Sequence, residues 1–228
     1  MVLSEEMYKR ALPLWEEACE KPFVKAMALG NLDHERFRNY MVQDYLYLLD
    51  YLELLEDCVR LTEDPALLSF LGSVIEETKQ ELLEVHIPNL KTEGIKPEEL
   101  LPSQKAGAIR DYVDYMKSRL SEEGLPAGLT ALLQCCWVYA FIGERVTEKY
   151  AAAVAASPYR SWFECYTGEG YNAAKKKWIE VLDQMTAGID GEKGKALCEI
   201  FVSCAGYENR FWDALYDFGP DGGIRNAE

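Results

Sequence analysis

The sequence predicts an all-α protein folded as a single-domain helical bundle. Its long segments place apolar residues at the period of a helix, and no alternating run is long enough to form a sheet. Glycine and proline fall between these segments, at the short connections typical of a bundle. The pattern divides the chain into roughly seven or eight helices.

The breaks between the predicted helices are short and follow in order. They lie at residues 30–33, 64–65, 94–102, 124–126, 157–158 and 188–191. Asp33 is the predicted N-cap of the helix that contains residues 37–58, and Asp64 with Pro65 is the predicted start of the next helix. Residues 1–218 are expected to form the domain, and residues 219–228 a frayed tail.

Size, charge and cysteine content narrow the function classes. The 228 residues are 49% hydrophobic, enough for one substantial core, and the net charge of −15 argues against a nucleic-acid partner. Charged residues begin at Glu5 and no window approaches an uninterrupted membrane span, so we expect no signal peptide, no membrane partner and a cytoplasmic protein. Seven cysteines without regular spacing indicate reduced thiols.

Asp44 lies at the centre of an apolar helical stripe. A carboxylate in that position costs several kcal/mol unless it is paired, whereas Asp50 and Glu53 fall on the opposite face, which is predicted to be solvated. Asp44 therefore needs a partner, a ligand or a chemical task, and a structural hydrogen-bond acceptor is the simplest alternative. The residues of its stripe are Phe37, Tyr40, Met41, Tyr47, Leu48, Tyr51 and Leu55.

Glu208 and Cys135 occupy similar positions on two other predicted helices. Glu208 is centred on an apolar face, and Cys135 lies on the apolar face of the helix predicted at residues 128–150. Its neighbour Cys136 is predicted to point along a line of small residues, so Cys135 is the better pocket candidate. Alone, each could be a structural acceptor or inert filling. Together with Asp44 they predict a polar pocket that offers a nucleophile, a general acid and an anchoring carboxylate.

A metal centre is the main chemical alternative, because carboxylates in helical bundles often hold two irons. The chain has only His34 and His86, and neither belongs to a Glu-x-x-His spacing. His34 is expected to be exposed at a helix start, and His86 is expected to be a helix-end residue rather than a ligand. Gly168 and Gly170 lack the strand and helix of a phosphate-binding loop. We therefore expect no metal and no cofactor.

Two ordered motifs carry a family resemblance. The first comprises Pro22-Phe23-Val24, Gly30-Asn31-Leu32, Phe37, Tyr40-Met41, Gln43-Asp44-Tyr45 and Tyr47-Leu48. The second comprises Leu133 to Trp137, Tyr139 and Ile142-Gly143, with weaker matches at Tyr112, Tyr159 to Tyr166, Glu208 and Phe211-Trp212. In these motifs the chain resembles the TenA family, also called thiaminase II, which has the haem-oxygenase-like helical fold.

The resemblance implies hydrolysis of an aminopyrimidine without a cofactor. 4-Amino-5-aminomethyl-2-methylpyrimidine would become the hydroxymethyl compound with release of ammonia, in thiamine salvage, and thiamine cleavage would be a related activity. Cys135 would be the nucleophile, and Glu208 would handle the protons of the ring nitrogen and the leaving group. The implied substrate-binding residues are Asp44, which holds the aminopyrimidine edge, Tyr47, which supports the thiol, and Tyr112, Tyr139 and Tyr166, which orient the ring. The family also suggests a homotetramer.

The chain departs from the family pattern beside its thiol. The family commonly has proline on both sides of its cysteine, where this chain has Gln134 and Cys136, and Lys21 replaces a common histidine. The presence of Cys135 places the chain with the thiol-bearing branch. Two alternatives stay open at this point: a non-catalytic pyrimidine-binding or regulatory protein, and a related oxidase of the same fold.

Overall fold

The computed structural model describes residues 2–217, which form helices and turns with no strand among them. The predicted all-α class is confirmed. The α-helices are α1 (Leu3–Glu20), α2 (Pro22–Ala28), α3 (His34–Arg60), α4 (Pro65–Glu81), α5 (Ile87–Thr92), α6 (Gly107–Glu123), α7 (Leu125–Lys149), α8 (Ala151–Ala156), α9 (Arg160–Thr167), α10 (Glu169–Met185) and α11 (Gly191–Asp217). The tail expected at residues 219–228 lies outside the described residues.

The described chain has more helices than the sequence pattern predicted, because several turns are too short to interrupt the apolar period. Pro22 starts α2 directly after α1, at a position where its missing N–H is not needed. A π-helical turn, Leu82–His86, joins α4 to α5. Pro88 lacks the N–H that would bond to the carbonyl of residue 84, which removes one α-helical bond from this turn.

The two predicted helix caps are confirmed. The Asp33 carboxylate accepts a hydrogen bond of 3.0 Å from the backbone N–H of Glu35. The Asp64 carboxylate accepts one of 2.8 Å from Ala66, and Pro65 occupies the first position of α4. These caps satisfy N–H groups that a helix leaves free at its start, and they set where α3 and α4 begin.

Helix α7 is the central helix of the bundle. It packs against α1, α3, α6, α9, α10 and α11, so it is apolar on nearly all sides. By length and composition α7 could cross a membrane, and the expectation that no window approaches such a span is wrong. In the structure, 72% of that window is buried inside the bundle, as for a core helix of a soluble protein.

Asp50 is buried, contrary to the prediction of a solvated face. The segment before α6 folds over this side of α3, and the Asp50 carboxylate pairs there with Lys105 and with the Lys117 ammonium. The helical period of the sequence shows which residues share a face, but it does not show whether a loop covers that face. The same segment is held by Gln43, whose amide donates to the Gln104 carbonyl at 3.1 Å and accepts from the N–H of Ala106 at 2.8 Å. These contacts position α6.

Candidate active site

A cavity of about 440 Å³ opens between α3, α4, α7, α9 and α10. Its volume lies in the range of small-molecule sites. Five of the seven site residues proposed from the sequence line it: Asp44, Tyr47, Cys135, Tyr139 and Tyr166. Carboxylates line it as well, whereas no lysine or arginine is among its lining residues. The cavity therefore favours a small ring and a neutral or cationic substituent.

The other two proposed residues, Glu208 and Tyr112, lie behind the cavity wall. They line a small separate void, together with Tyr47 and Tyr139, which face both spaces. Glu208 comes from α11 and is only 2% exposed. Tyr47 and Tyr139 thus form part of the wall between the two spaces, and the Cys135 thiol, which lines the main cavity, lies within hydrogen-bonding reach of the Glu208 carboxyl.

Asp44 has a protein partner that the sequence pattern did not predict. The His86 Nε2 atom lies 2.8 Å from Asp44 Oδ2, and both side chains are buried. Because a carboxylate can only accept, the imidazole N–H is the donor. His86 does end the π-helical turn, as a helix-end residue would, but the turn directs its ring inward. Burial opposes the imidazolium, yet the hydrogen bond and charge of Asp44 raise the pKa of His86.

The Cys135 thiol is neutral at physiological pH. Burial, followed by the negative charge of Glu208, raises its pKa well above the ordinary value, and the nearby Tyr47 hydroxyl only partly opposes this. Burial also raises the pKa of Glu208 to about 8, against a hydrogen bond from Tyr112 that lowers it. Cys135 therefore needs a base at the moment of attack, and Glu208 is a carboxyl that can exchange a proton near neutral pH.

Aromatic rings pack against one another around the cavity and the void. Tyr112 is stacked between Tyr47, at 5.7 Å, and Tyr207, at 5.5 Å and nearly parallel. On the other side of the cavity, Tyr166 packs against Tyr139 with ring centroids 5.0 Å apart. Gly143 allows this approach, because a Cβ at that position would lie 3.1 Å from the Cβ of Tyr166. The rings can therefore flank a planar ligand without moving far.

Comparison with known proteins decides the family. Residues 8–218 match the model of the TENA/THI-4/PQQC family. The chain belongs to this family. It is similar to the aminopyrimidine aminohydrolase of Halalkalibacterium halodurans, with 28% identity over 95% of this chain and 96% of that protein. It is also similar to the aminopyrimidine aminohydrolase of Helicobacter pylori, with 26% identity over 95% of this chain and 99% of that protein.

A solved structure supports the same fold. A TenA homologue from P. horikoshii OT3 superposes with a TM-score of 0.84 at 23% identity, covering 96% of this chain and 100% of that one. The family match confirms the resemblance to the TenA family seen in the sequence motifs, and the all-α bundle expected from it agrees with this neighbour.

Three further residues of this TENA/THI-4/PQQC family member belong to the site region and were not predicted. Glu81, at the end of α4, is half-buried and lines the cavity, and burial together with the charge of Asp44 raises its pKa to about 7. Cys136 also lines the cavity, because two adjacent residues of a helix enclosed on all sides can face the same space. Gln134 is fully buried behind Cys135. In sequence, Glu81 is indistinguishable from the exposed Glu76 of the same helix.

The two histidines of this family member have different environments. His34 is exposed, and its Nε2 atom lies 3.2 Å from the Glu93 carboxylate. His86 is buried and donates a hydrogen bond to Asp44. Within residues 2–217, no group of three or more histidine, cysteine, aspartate or glutamate side chains converges in a way that could hold a metal ion. The donor set around Asp44 is one histidine and one further carboxyl nearby, which suits hydrogen bonding to an organic ligand.

Proposed function

We propose that this chain is an aminopyrimidine aminohydrolase, or thiaminase II. It converts 4-amino-5-aminomethyl-2-methylpyrimidine to the hydroxymethyl compound with release of ammonia, in thiamine salvage, and cleaves thiamine as a related activity. The observation that carries the proposal is the placement of the Cys135 thiol beside the buried Asp44 and Glu208 carboxyls, at an aromatic cavity. The relatives from H. halodurans and H. pylori, which carry that name, support it.

Asp44 is proposed to hold the aminopyrimidine edge. Its carboxylate receives one hydrogen bond from His86, which leaves the remaining lone pairs free to accept from the amino group of a ligand. Tyr139 and Tyr166 supply flat apolar surface for the ring. Such a site binds the ring at one edge and leaves its substituent directed toward the acidic side of the cavity, where Glu81 lies.

Cys135 is proposed to add to a ring carbon, with Glu208 as the proton carrier. Glu208 protonates the ring nitrogen, the sulfur–carbon bond forms, and the thiol proton passes to the Glu208 carboxylate, so S–H is added across the ring. Glu208 then gives its proton to the amine, which leaves the exocyclic carbon as ammonia. Water adds its hydroxyl to that carbon and returns a proton to Glu208. Cleavage of the sulfur–carbon bond, with the ring-nitrogen proton returned to the thiol, restores the aromatic ring. A carboxyl with a pKa of about 8 can perform both transfers near neutral pH.

The proposal is tested by incubating the purified protein with 4-amino-5-aminomethyl-2-methylpyrimidine and measuring ammonia and the hydroxymethyl product together. We expect both in equal amounts. Saturable binding without product would overturn the enzymatic proposal in favour of a pyrimidine-binding protein. Oxygen consumption without ammonia would favour an oxidase of the same fold.

Assembly and location are proposed with the activity. We infer a cytoplasmic homotetramer from the family resemblance. Light scattering should then give a mass near four times the 26.0 kDa of one chain. A mass of one chain at micromolar concentration would contradict the tetramer.

A further inference from the structure

Asp44, Glu81 and His86 form a cluster of two acids and one imidazole beside the cavity. The His86 ring donates to Asp44 across 2.8 Å and is only 2% exposed. Glu81 and Asp44 both line the cavity, and no lysine or arginine is among its lining residues. Two neighbouring carboxylates repel one another unless a cation lies beside them or one of them binds a proton. The histidine is therefore the group that sets the charge of this cluster.

The π-helical turn brings His86 and Glu81 to the same side of the chain. In this turn the N–H of Ile87 bonds to the carbonyl of Leu82, five residues before it. Residues five apart point about 140° away from each other in an α-helix, whereas a turn closed by five-residue hydrogen bonds brings them close to one face. His86 follows Glu81 by five residues. The turn thus directs both side chains inward, toward Asp44 of α3.

We propose that His86 is a positioning residue for substrate selection. As an imidazolium ion it keeps Glu81 ionised, so that the cavity selects a cationic substituent over a neutral one. His86 is not among the residues that line the cavity, so it acts through Glu81 and not by touching the ligand. The inference rests on the proposed function only for the identity of the substituent, and the charge of the cluster can be measured without a ligand.

Among the described residues, two charged groups act on Glu81, and they act in opposite directions. Burial and the charge of Asp44 raise the pKa of Glu81 to about 7, and the charge of His86 lowers it. Burial lowers the pKa of His86, but the hydrogen bond and charge of Asp44, the charge of Glu81 and the Glu81 backbone carbonyl together raise it above its ordinary value. Each acid thus favours the imidazolium, and the imidazolium favours the ionised form of Glu81.

The remaining neighbours of the cluster are neutral or exposed. Six side chains lie within reach of the Glu81 charge, and burial raises the pKa of each, so they stay neutral at physiological pH. They are Tyr40 and Tyr51 from α3, Cys136 from α7, Cys165 and Tyr166 from α9, and Tyr171 from α10. Glu77 and Glu84 line the cavity at exposed positions, and Lys91 of α5, which packs against the π-helical turn, is exposed as well. Water screens these three charges, so His86 provides the positive charge of the cluster.

The competing arrangement is a neutral imidazole. Its Nε2–H would still donate to Asp44, and its Nδ1 atom, which is buried without a hydrogen-bond partner among the described residues, would carry no proton. His86 would then hold Asp44 in place and leave the charge of Glu81 unchanged. The two arrangements differ in the protonation of the ring and in the effect of removing its charge.

The protonation of the ring is read directly in the wild type. Ring ¹⁵N chemical shifts distinguish an imidazolium from a neutral imidazole, and the chain has only His34 and His86, so His34→Gln assigns both. We expect two protonated ring nitrogens in His86 at neutral pH. A neutral His86 ring would overturn the proposal, and this measurement needs no variant of the cluster.

His86→Gln removes the charge and keeps an amide N–H that can donate to Asp44. Infrared difference spectroscopy of the ligand-free protein follows the C=O stretch of protonated Glu81 as pH rises, and the band is assigned by its loss in Glu81→Gln. We expect the titration midpoint of Glu81 to rise by about one pH unit, because a nearby positive charge is lost. His34→Gln, which alters the exposed histidine near Glu93, should leave the midpoint unchanged. An unchanged midpoint in a folded His86→Gln protein would contradict the proposal.

Calorimetric titration with the aminomethyl and hydroxymethyl compounds connects this charge to selection. In the wild type, preference for the aminomethyl compound should appear as Glu81 ionises, and in His86→Gln it should appear about one pH unit higher. In a Glu81→Gln background, His86→Gln should leave the ratio of the two affinities unchanged. The same pH dependence of the preference in the wild type and in His86→Gln would reject the proposal. A raised midpoint in a protein that binds neither compound would overturn the proposed function and leave the charge of the cluster standing.

Discussion

The imidazole of His86 donates a hydrogen bond of 2.8 Å to the carboxylate of Asp44 inside the bundle. One partner comes from the long helix α3 and the other from the π-helical turn after α4, 42 residues later. The pair resolves the anomaly of a carboxylate in an apolar stripe, because a buried acid with a charged or polar donor escapes most of the desolvation cost. It also fixes which oxygen of Asp44 is free for a ligand.

Asp44→Asn should keep the fold and weaken binding of the hydroxymethylpyrimidine about tenfold or more. The Asn carbonyl can still accept from His86, so the buried donor stays satisfied. The Asn NH₂ group would then face the amino group of the ligand, donor against donor. Calorimetric titration and thermal unfolding check this. If the variant unfolds while the affinity per folded molecule is unchanged, Asp44 is structural.

Cys135→Ser should lower the rate of ammonia release by about three orders of magnitude or more, because a hydroxyl is a far poorer nucleophile toward a ring carbon. The matched control is Cys136→Ser, which changes the adjacent thiol of the same cavity. We expect it to retain most of the activity. Undiminished turnover by Cys135→Ser, or loss of turnover only in Cys136→Ser, would reject Cys135 as the nucleophile.

Glu208→Gln should make the protein more stable at alkaline pH than the wild type. The pKa of Glu208 is raised from about 4.5 to about 8 in the folded state. The folded protein therefore binds a proton that the unfolded chain has lost, and its stability falls as pH rises from about 4.5 to about 8. The loss is on the order of a few kcal/mol. Unfolding midpoints across this range should show a shallower decline in Glu208→Gln, while Glu199→Gln, an exposed site on α11, should follow the wild type.

Glu81→Gln should impair recognition of a cationic substituent. Glu81 lines the acidic side of a cavity that has no lysine or arginine among its lining residues. We expect several-fold weaker binding of the aminomethyl compound, which is an ammonium ion, and little change for the neutral hydroxymethyl compound. Because the pKa of Glu81 is about 7, the difference should be present above pH 7 and shrink below it.

The control for Glu81 is Glu76→Gln, which alters an exposed carboxylate of the same helix that pairs with Lys79. It should affect neither ligand. Equal weakening of both ligands by Glu81→Gln would mean that Glu81 supports the ring site and not the substituent.

Gln43→Ala should destabilise the fold by about 1–3 kcal/mol, because both of its hydrogen bonds to the backbone at Gln104 and Ala106 are lost. The segment before α6 would loosen, and proteolysis there should accelerate. Gln184→Ala, at an exposed position on α10, is the matched control and should unfold like the wild type. If Gln43→Ala is as stable in denaturant as the wild type, the ion pairs of Asp50 with Lys105 and Lys117 hold the segment without the Gln43 hydrogen bonds.

Most of the architecture could be predicted because it depends on local properties of the chain. Helical period, proline and glycine breaks and the capping aspartates Asp33 and Asp64 act over a few residues, and they predicted the all-α class and two helix starts correctly. The same period identified Asp44 and Glu208 as acids on apolar faces, and both are buried. The same period wrongly predicted that Asp50 is solvated, because a loop whose Lys105 lies 55 residues later in the chain covers it.

The sequence alone determined the helical class, the family resemblance and the set of residues whose side chains can take part in chemistry. Each of these depends only on residue type and spacing. The tertiary structure decided which of them meet. It paired Asp44 with His86, placed Glu208 in a void behind the cavity wall, added Glu81 to the cavity and brought the Tyr112 hydroxyl to Gln134. These relationships join helices far apart in the chain, and the packing of those helices sets the distances, burial and charges on which the chemistry depends.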